Sequence, residues 1–163
     1  MTPSQTSAAE VNIENIRSIQ GIEYGPSEPV QMSQSRIDLF AEATGDLQWI
    51  HIDPVRAADS VFGSTIAHGF LVLSLIATFN QQLVTISGAA SRLNYGLNKV
   101  RFPSTAPVNS ILRGYTTLSS AESVRAGTQL VFELKVVAEG VEKPVCVAEF
   151  ISLVPGIHLS DEA

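Results

Sequence analysis

The chain of 163 residues has little cysteine, little charge and few basic residues, and each shortage excludes a class of protein. Its one cysteine, Cys146, allows neither an intrachain disulfide nor a cysteine-cluster zinc site. The thiol lies in the alternating apolar segment 145–148, which favours a buried structural role over a nucleophile. Ten Lys and Arg against sixteen Asp and Glu give a net charge of −6. We therefore expect no nucleic-acid partner, because a polyanion needs a basic face.

Acidic residues are also missing from the middle of the chain. Residues 60–121 hold no Asp or Glu but four bases, whereas residues 1–59 hold nine acids and residues 122–163 hold seven. The apolar run 66–79 is shorter than the about 20 residues of a membrane span, so we predict a buried helix and no membrane span. The polar N-terminus lacks the basic and apolar regions of a secretory signal, which favours a cytoplasmic location.

The length fits one domain, and a hydrophobic fraction of 45% is sufficient for a core, which excludes general disorder. We expect a frayed tail over residues 1–10, a single domain over 11–156 and an acidic tail over 157–163.

Local patterns predict helices first and strands afterwards. Ser33 is expected to cap a helix that Gly45 ends. The helix over 67–84 is apolar nearly all round, so other structure must enclose it. The predicted helices are 12–19, 34–43, 54–58 and 67–84. The predicted strands are 91–103, 109–120, 128–139 and 144–154. Short connections between the strands predict an antiparallel meander curled around the one buried helix, an α+β architecture.

Asp46 and His51 are the first candidates for chemistry. They lie five residues apart in a segment that we predict to be a loop, which can turn both side chains toward one point. A histidine beside a carboxylate is a general acid/base pair suited to neutral pH. From spacing alone, an Asp46 that caps a turn and a structural His51 remain an alternative.

The start of the long helix is the second candidate. The free N–H of Gly69 at a helix start can bind an oxyanion, and the missing side chain lets a carbonyl approach the backbone. Tight packing of the helix on a sheet is an alternative role for this glycine. His68 is either a second catalytic group or a residue that fixes the loop.

Three segments together resemble a known family. Residues 43–54, ATGDLQWIHIDP, are similar to the hydratase motif of the MaoC-like dehydratases, which include the (R)-specific enoyl-CoA hydratases. Residues 66–69, IAHG, resemble the second motif of that family. Residues 94–103 carry NYG and KVRFP, which resemble the branch of nodulation-protein-N-like proteins. The resemblance covers about residues 12–155.

The resemblance implies a fold, an assembly and a reaction. The family has the hotdog fold, in which an antiparallel sheet wraps a long central helix, and forms homodimers with the acyl-CoA site near the subunit interface. Its reaction is reversible syn hydration of a trans-2-enoyl thioester to the (R)-3-hydroxyacyl thioester. The catalytic pair falls on Asp46 and His51, and the oxyanion donor falls on the N–H of Gly69. The resemblance implies neither a cofactor nor a metal. The substrate is a thioester carried by coenzyme A or acyl carrier protein.

Further site residues are predicted with alternatives. The predicted oxyanion or substrate-binding residues are Gly69, His68, Gln48, Trp49, Phe70 and Ser74. Gln48 and Trp49 stand where many family members have Asn-Pro. Some members have a hydroxyl at the position of Ala77, and Ser74, one turn earlier, would supply it here. Trp49 and Phe70 are predicted to line the acyl pocket, or else belong to the ordinary core. Contacts to the coenzyme A phosphates are predicted for three bases, which are otherwise solvated strand ends: Arg92, Lys99 and Arg101.

Two other functions are compatible with the sequence. One is a hotdog thioesterase, which would release a free thiol, and the other is a non-catalytic subunit that binds acyl-CoA. The presence of both Asp46 and His51 argues against the binding subunit, which would need neither.

Overall fold

The computed structural model describes residues 8–160, which form an α+β fold. Helices and short strands come first, and four long strands follow. The elements in chain order are β1 (Ala9–Asn12), a 3-10 helix (Ile13–Ile19), β2 (Glu23–Tyr24), β3 (Val30–Gln31), α1 (Gln34–Thr44), α2 (Trp49–Ile52), α3 (Pro54–Ala58), α4 (Gly69–Ser74), α5 (Ile76–Leu83), β4 (Val84–Ser87), β5 (Leu93–Arg101), β6 (Ile111–Val124), β7 (Gly127–Ala138) and β8 (Cys146–Pro155).

The main sheet is antiparallel, but it is not a simple meander. Its strands lie in the order β2-β6-β7-β8-β5, and β3 also pairs with β6. The predicted neighbours β5 and β6 are therefore at opposite ends of the long-strand series. The connection between them crosses the start of α4, where Ala67 N–H donates to Ala106 O (2.8 Å) and Val108 N–H donates to Thr65 O (2.9 Å). β5 pairs with β8 instead.

The central helix is shorter than predicted and is interrupted. It begins at Gly69 instead of 67, ends at Leu83, and is divided at Leu75 into α4 and α5. The Ser74 hydroxyl donates to Leu71 O (2.7 Å), and Leu75 N–H turns to Val72 O (3.2 Å). A serine that bonds back to its own helix competes with the main-chain ladder, which explains the break. The helix is also not fully enclosed, because Phe70 is 69% exposed.

The sheet packs one face against α5. Alternate residues of β6, β7 and β8 are buried, and Phe79 of α5 lies directly over Gly114 of β6. A Cβ at Gly114 would be 2.5 Å from the Phe79 Cβ, so only glycine fits there. Burial raises the pKa of the Cys146 thiol to about 11, in agreement with a structural and not a nucleophilic cysteine. The sheet around a central helix is the hotdog arrangement that the resemblance implies.

Both predicted tails need correction. Ala9 and Glu10 belong to β1, which pairs in parallel with β4, while residues 1–7 lie outside the described part of the chain. At the other end Leu159 is buried and exchanges hydrogen bonds with the Ser123 hydroxyl, so residues 157–160 pack on the domain. Apolar contact and hydrogen bonds hold both segments. None of the described helices is long and apolar enough to cross a membrane.

Candidate active site

The first candidate segment leaves α1 through a sharp turn. Ser33 caps the start of α1 by accepting a hydrogen bond from Arg36 N–H (3.3 Å), as predicted. Gly45 ends it at φ 75°, a left-handed conformation that glycine adopts without strain. The predicted loop that follows contains the one-turn helix α2, on which His51 lies. One carboxylate oxygen of Asp46 and one ring nitrogen each of His51 and His68 lie within 4.8 Å of one another.

His51 is fixed by a main-chain carbonyl. Its ring is buried, and Nδ1 lies 2.7 Å from Ile66 O. Since a carbonyl only accepts, this bond assigns the ring hydrogen to Nδ1 and leaves a lone pair on Nε2 of the neutral ring. Burial lowers the pKa of His51 below its ordinary 6.5, the hydrogen bond to Ile66 opposes this, and His68 lowers it further while Asp46 raises it. A neutral, buried histidine with a free Nε2 is a competent general base.

Gln34 holds the backbone on both sides of the site, a role that no sequence pattern predicts. Its Nε2 donates to His51 O (2.8 Å), and its Oε1 accepts from the Thr65 hydroxyl. Gln34 is separated from these residues by 17 and 31 positions and has no local signal beyond its place at the start of α1. The amide joins the His51 segment to the loop before α4.

His68 is buried and has two ring neighbours. Its imidazole stacks on that of His51 with ring centroids 3.7 Å apart and planes 25° apart, and Phe40 lies 5.1 Å away. Its Nε2 lies 2.9 Å from the main-chain oxygen of Asp46. His68 therefore contacts both members of the predicted pair. It is also the residue before Gly69.

A cavity of about 180 Å³ opens beside His51 and Gly69. Its wall includes Phe102, which the sequence analysis placed in a motif without assigning it a role. A Cβ on Gly69 would lie 3.0–3.1 Å from three carbons of the Phe102 ring. As the first residue of α4, Gly69 has an N–H with no acceptor within the helix. The cavity is thus lined by His51, by the first residue of α4 and by mostly apolar neighbours, while Asp46 is not among its lining residues.

The side chains of Asp46, His51 and His68 are close enough together to be considered as metal ligands. The two imidazole planes are stacked at 25° with centroids 3.7 Å apart, so their in-plane lone pairs lie in separate, nearly parallel planes instead of converging on one ion. Nδ1 of His51 and Nε2 of His68 are also occupied by main-chain carbonyls. The arrangement suits proton transfer better than ligation.

The other predicted pocket residues lie around the site, not in this cavity. Gln48 is exposed, and its carbonyl accepts from His51 N–H (3.0 Å). Trp49 is half-buried beneath the Arg56 guanidinium, 4.3 Å from the ring centroid. Phe70 meets Phe102 edge to face at 6.1 Å.

Ser74 does not join Asp46 and His51. Its hydroxyl hydrogen is donated within α4, as described above, and the residue lines a separate cavity of about 240 Å³. Ala77 and Leu97 line that cavity too. The predicted replacement of the missing hydroxyl by Ser74 therefore has no support from the geometry.

The three predicted phosphate-binding bases are not brought together. Lys99 and Arg101 line a depression of about 390 Å³ that also contains Glu149, to which Lys99 is paired at 3.2 Å. Arg92 is not among the residues that line it. The Arg92 Nη1 is buried without a hydrogen-bond acceptor in residues 8–160, and burial lowers the pKa of this guanidinium. Arg101 directly precedes Phe102, so it is the base nearest in sequence to the cavity wall.

Comparison with known proteins gives consistent matches. A family model described as "MaoC like domain" matches residues 16–142. The 3-hydroxyacyl-thioester dehydratase Z of Mycobacterium tuberculosis is 45% identical over 141 residues, which cover 86% of this chain and 93% of that protein. Nodulation protein N of Rhizobium leguminosarum bv. viciae is 41% identical over 149 residues, with coverage of 89% and 92%.

Solved structures share the fold at low identity. The unliganded R-hydratase of Pseudomonas aeruginosa superposes with a TM-score of 0.65 at 21% identity and covers 86% of each chain. The (R)-hydratase of A. caviae gives a TM-score of 0.64 at 18% identity, with coverage of 80% of this chain and 97% of that one.

Proposed function

Because this chain belongs to the MaoC-like domain family, we propose that it is a hydro-lyase of the (R)-specific enoyl-CoA hydratase type. It adds water syn across the double bond of a trans-2-enoyl thioester and, in reverse, dehydrates the (3R)-hydroxyacyl thioester. The carrier is coenzyme A or acyl carrier protein, and no other cofactor takes part. The observation that carries the proposal is the meeting of Asp46 and His51 beside a cavity lined by His51 and Gly69.

The thioester carbonyl accepts a hydrogen bond from Gly69 N–H. This N–H has no acceptor in its own helix, so it is free to stabilise the negative charge that develops on the carbonyl oxygen as an enolate forms. The adjoining Phe102 ring excludes water from one side of Gly69.

One water molecule is held between the Asp46 carboxylate and Nε2 of His51. Nε2 takes a proton from the water while its oxygen bonds to C3, and the pair delivers a proton to C2 on the same face of the substrate, with Asp46 as the relay. The hydroxyl and the hydrogen together account for one water, and the pair returns to its starting protonation. The two groups act as a coupled unit.

The test is turnover of trans-2-enoyl-CoA substrates from C4 to C16, followed by loss of the enoyl absorbance and by the chirality of the product. Asp46→Asn and His51→Asn should each lower kcat by at least ~100-fold, the usual scale for loss of an acid/base group. Asn at position 51 still presents an N–H to Ile66 O. The exposed residues Asp59 and His158 give the matched controls Asp59→Asn and His158→Asn.

Three outcomes would contradict the proposal or its catalytic residues. Release of free thiol with the double bond intact would indicate a thioesterase. Tight binding of acyl-CoA without turnover at any chain length would indicate a binding subunit. Near-normal hydration by folded Asp46→Asn or His51→Asn would remove the catalytic assignment.

A further inference from the structure

We propose that His68 is a positioning residue for the hydration reaction, holding Asp46 through its main chain and His51 through ring stacking. This inference rests on the proposed function for its chemistry, but the geometry can be tested without turnover. His68 is 2% exposed, so its interactions are made inside the protein.

The hydrogen bond to Asp46 assigns the His68 tautomer. Asp46 O is a main-chain carbonyl and can only accept, so the hydrogen lies on Nε2 of His68. Nδ1 of the neutral ring then carries a lone pair, and it is buried without a hydrogen-bond partner within residues 8–160. A buried nitrogen without a partner costs free energy. The contacts that this side chain does make are the Nε2 hydrogen bond to Asp46 O and the stacking on the His51 ring.

Asp46 needs such a contact because little else fixes it. It lies on the loop between α1 and α2, and its residue is exposed. Within residues 8–160 its N–H makes one long bond, of 3.5 Å, to the Thr44 hydroxyl. The bond from His68 to Asp46 O is therefore the short contact that ties this part of the loop to the buried side of the site.

The same ring limits the movement of His51. Its imidazole stacks on that of His51, with the two rings nearly parallel, and the tilted ring of Phe40 also lies against it. His51 Nδ1 is held by Ile66 O, and stacking on His68 restricts rotation about that bond. One side chain thus positions both members of the pair relative to each other.

Two substitutions separate the donor from the ring. His68→Gln keeps an N–H near the position of Nε2 but loses the stacked face, whereas His68→Phe keeps an aromatic face and loses the donor. If His68 positions both residues, His68→Phe, which loses the hold on Asp46, and His68→Gln, which loses the stack on His51, should each lower kcat at least tenfold with KM within threefold. A role in packing alone predicts that His68→Phe keeps a kcat near that of the wild type. His158→Gln and His158→Phe are the matched controls at an exposed histidine.

The tautomers give a readout that needs no substrate. The chain has three histidines, so two-bond ¹H–¹⁵N imidazole spectra of the wild-type protein can be assigned with His68→Gln and His158→Gln. We expect the hydrogen on Nε2 for His68 and on Nδ1 for His51. A hydrogen on Nδ1 of His68, or a kcat near that of the wild type in either variant, would overturn the inference. If no enoyl thioester is turned over, the proposed function fails, while the spectra still decide whether His68 holds Asp46.

Discussion

Nδ1 of His51 lies 2.7 Å from the main-chain oxygen of Ile66, and this contact joins the two sequence segments that carry the candidate site. The N–H of Ile66 in turn donates to Ile50 O at 3.0 Å. The two bonds connect adjacent residues of α2 to one residue of the loop before α4. The orientation of the imidazole is therefore set by the backbone that also places Gly69.

Activity should depend on pH through His51. Burial is the main cause that lowers its pKa below 6.5. Since the base must be neutral, kcat/KM for hydration should fall on the acidic side with a midpoint below 6.5. The measurement is kcat/KM against pH with a short-chain enoyl-CoA. A midpoint above 6.5 would contradict the assignment of His51 as the base.

Stability should follow the same titration. A folded pKa below the unfolded value of 6.5 means that the unfolded chain binds more protons between the two pKa values. The contribution of His51 is then fully present above about 6.5 and is lost as the pH falls toward the folded pKa. Denaturant unfolding at several pH values measures this. In His51→Asn that part of the pH dependence should disappear, whereas His158→Asn should retain it.

The sequence predicted the parts of the site that depend on neighbouring residues. Ser33 and Gly45 are local cap signals, and they placed both ends of α1. The Asp46 and His51 motif is also local, and the fold brings the two side chains together. The contacts of Gln34 and Phe102 are different, because they cross 17 or more positions and depend on how the chain packs. No residue type or spacing indicates such contacts beforehand.

The pairing of β5 failed as a prediction for a related reason. Strand patterns fix which residues alternate, but not which strand is the neighbour. The chain from β5 to β6 passes the loop before α4, where Ala106 and Val108 are hydrogen-bonded to Ala67 and Thr65, and β5 pairs with β8. The break at Leu75 likewise depends on one side-chain bond, from Ser74, in a segment whose composition is otherwise that of a helix.

Gly69→Ala should impair catalysis without removing the N–H. Its Cβ would lie 3.0–3.1 Å from the Phe102 ring, so ring or helix must move by a few tenths of an ångström. Since a misplacement of about 1 Å can cost about 100-fold, we expect kcat/KM to fall between about 10- and 100-fold. Phe102→Leu in the same chain should restore part of the loss. Gly96→Ala is the control, because its Cβ would meet only a side-chain carbon of Ile151 at 4.0 Å.

Arg101→Glu should raise KM for enoyl-CoA more than it lowers kcat. A glutamate there would repel the coenzyme A phosphates, whereas Lys99→Glu should have a smaller effect because Lys99 is already paired with Glu149. The comparison substrate is the enoyl-pantetheine thioester, which lacks the nucleotide phosphates and should show unchanged KM. Lys143→Glu is the charge control on an exposed loop. Equal KM in wild type and Arg101→Glu would show that Arg101 does not bind the coenzyme A phosphates.

A second copy of the chain should associate along β5. This strand is at the end of the sheet, and three of its apolar side chains, Leu93, Tyr95 and Leu97, are at least 42% exposed. Exposed apolar groups on a free strand edge favour association. We expect a dimer by sedimentation, and a monomer for Leu97→Asp. Val61 is 96% exposed on a loop, so Val61→Asp should leave the dimer intact. A monomeric wild-type protein would contradict the expected homodimer.

The polar pair between α5 and the sheet should show strong coupling. Asn80 is fully buried, and its Oδ1 accepts from the Thr116 hydroxyl at 2.9 Å, while its Nδ2 has no partner within the described residues. Thr116→Val leaves a second buried polar atom without a partner, which should cost about 1–3 kcal/mol of unfolding free energy. Asn80→Leu with Thr116→Val removes the unpaired atoms together and should therefore cost less than Thr116→Val alone. Thr78→Val, on the exposed side of α5, should change stability by less than about 0.5 kcal/mol. Additive losses in a denaturant double-mutant cycle would show that the pair is not coupled.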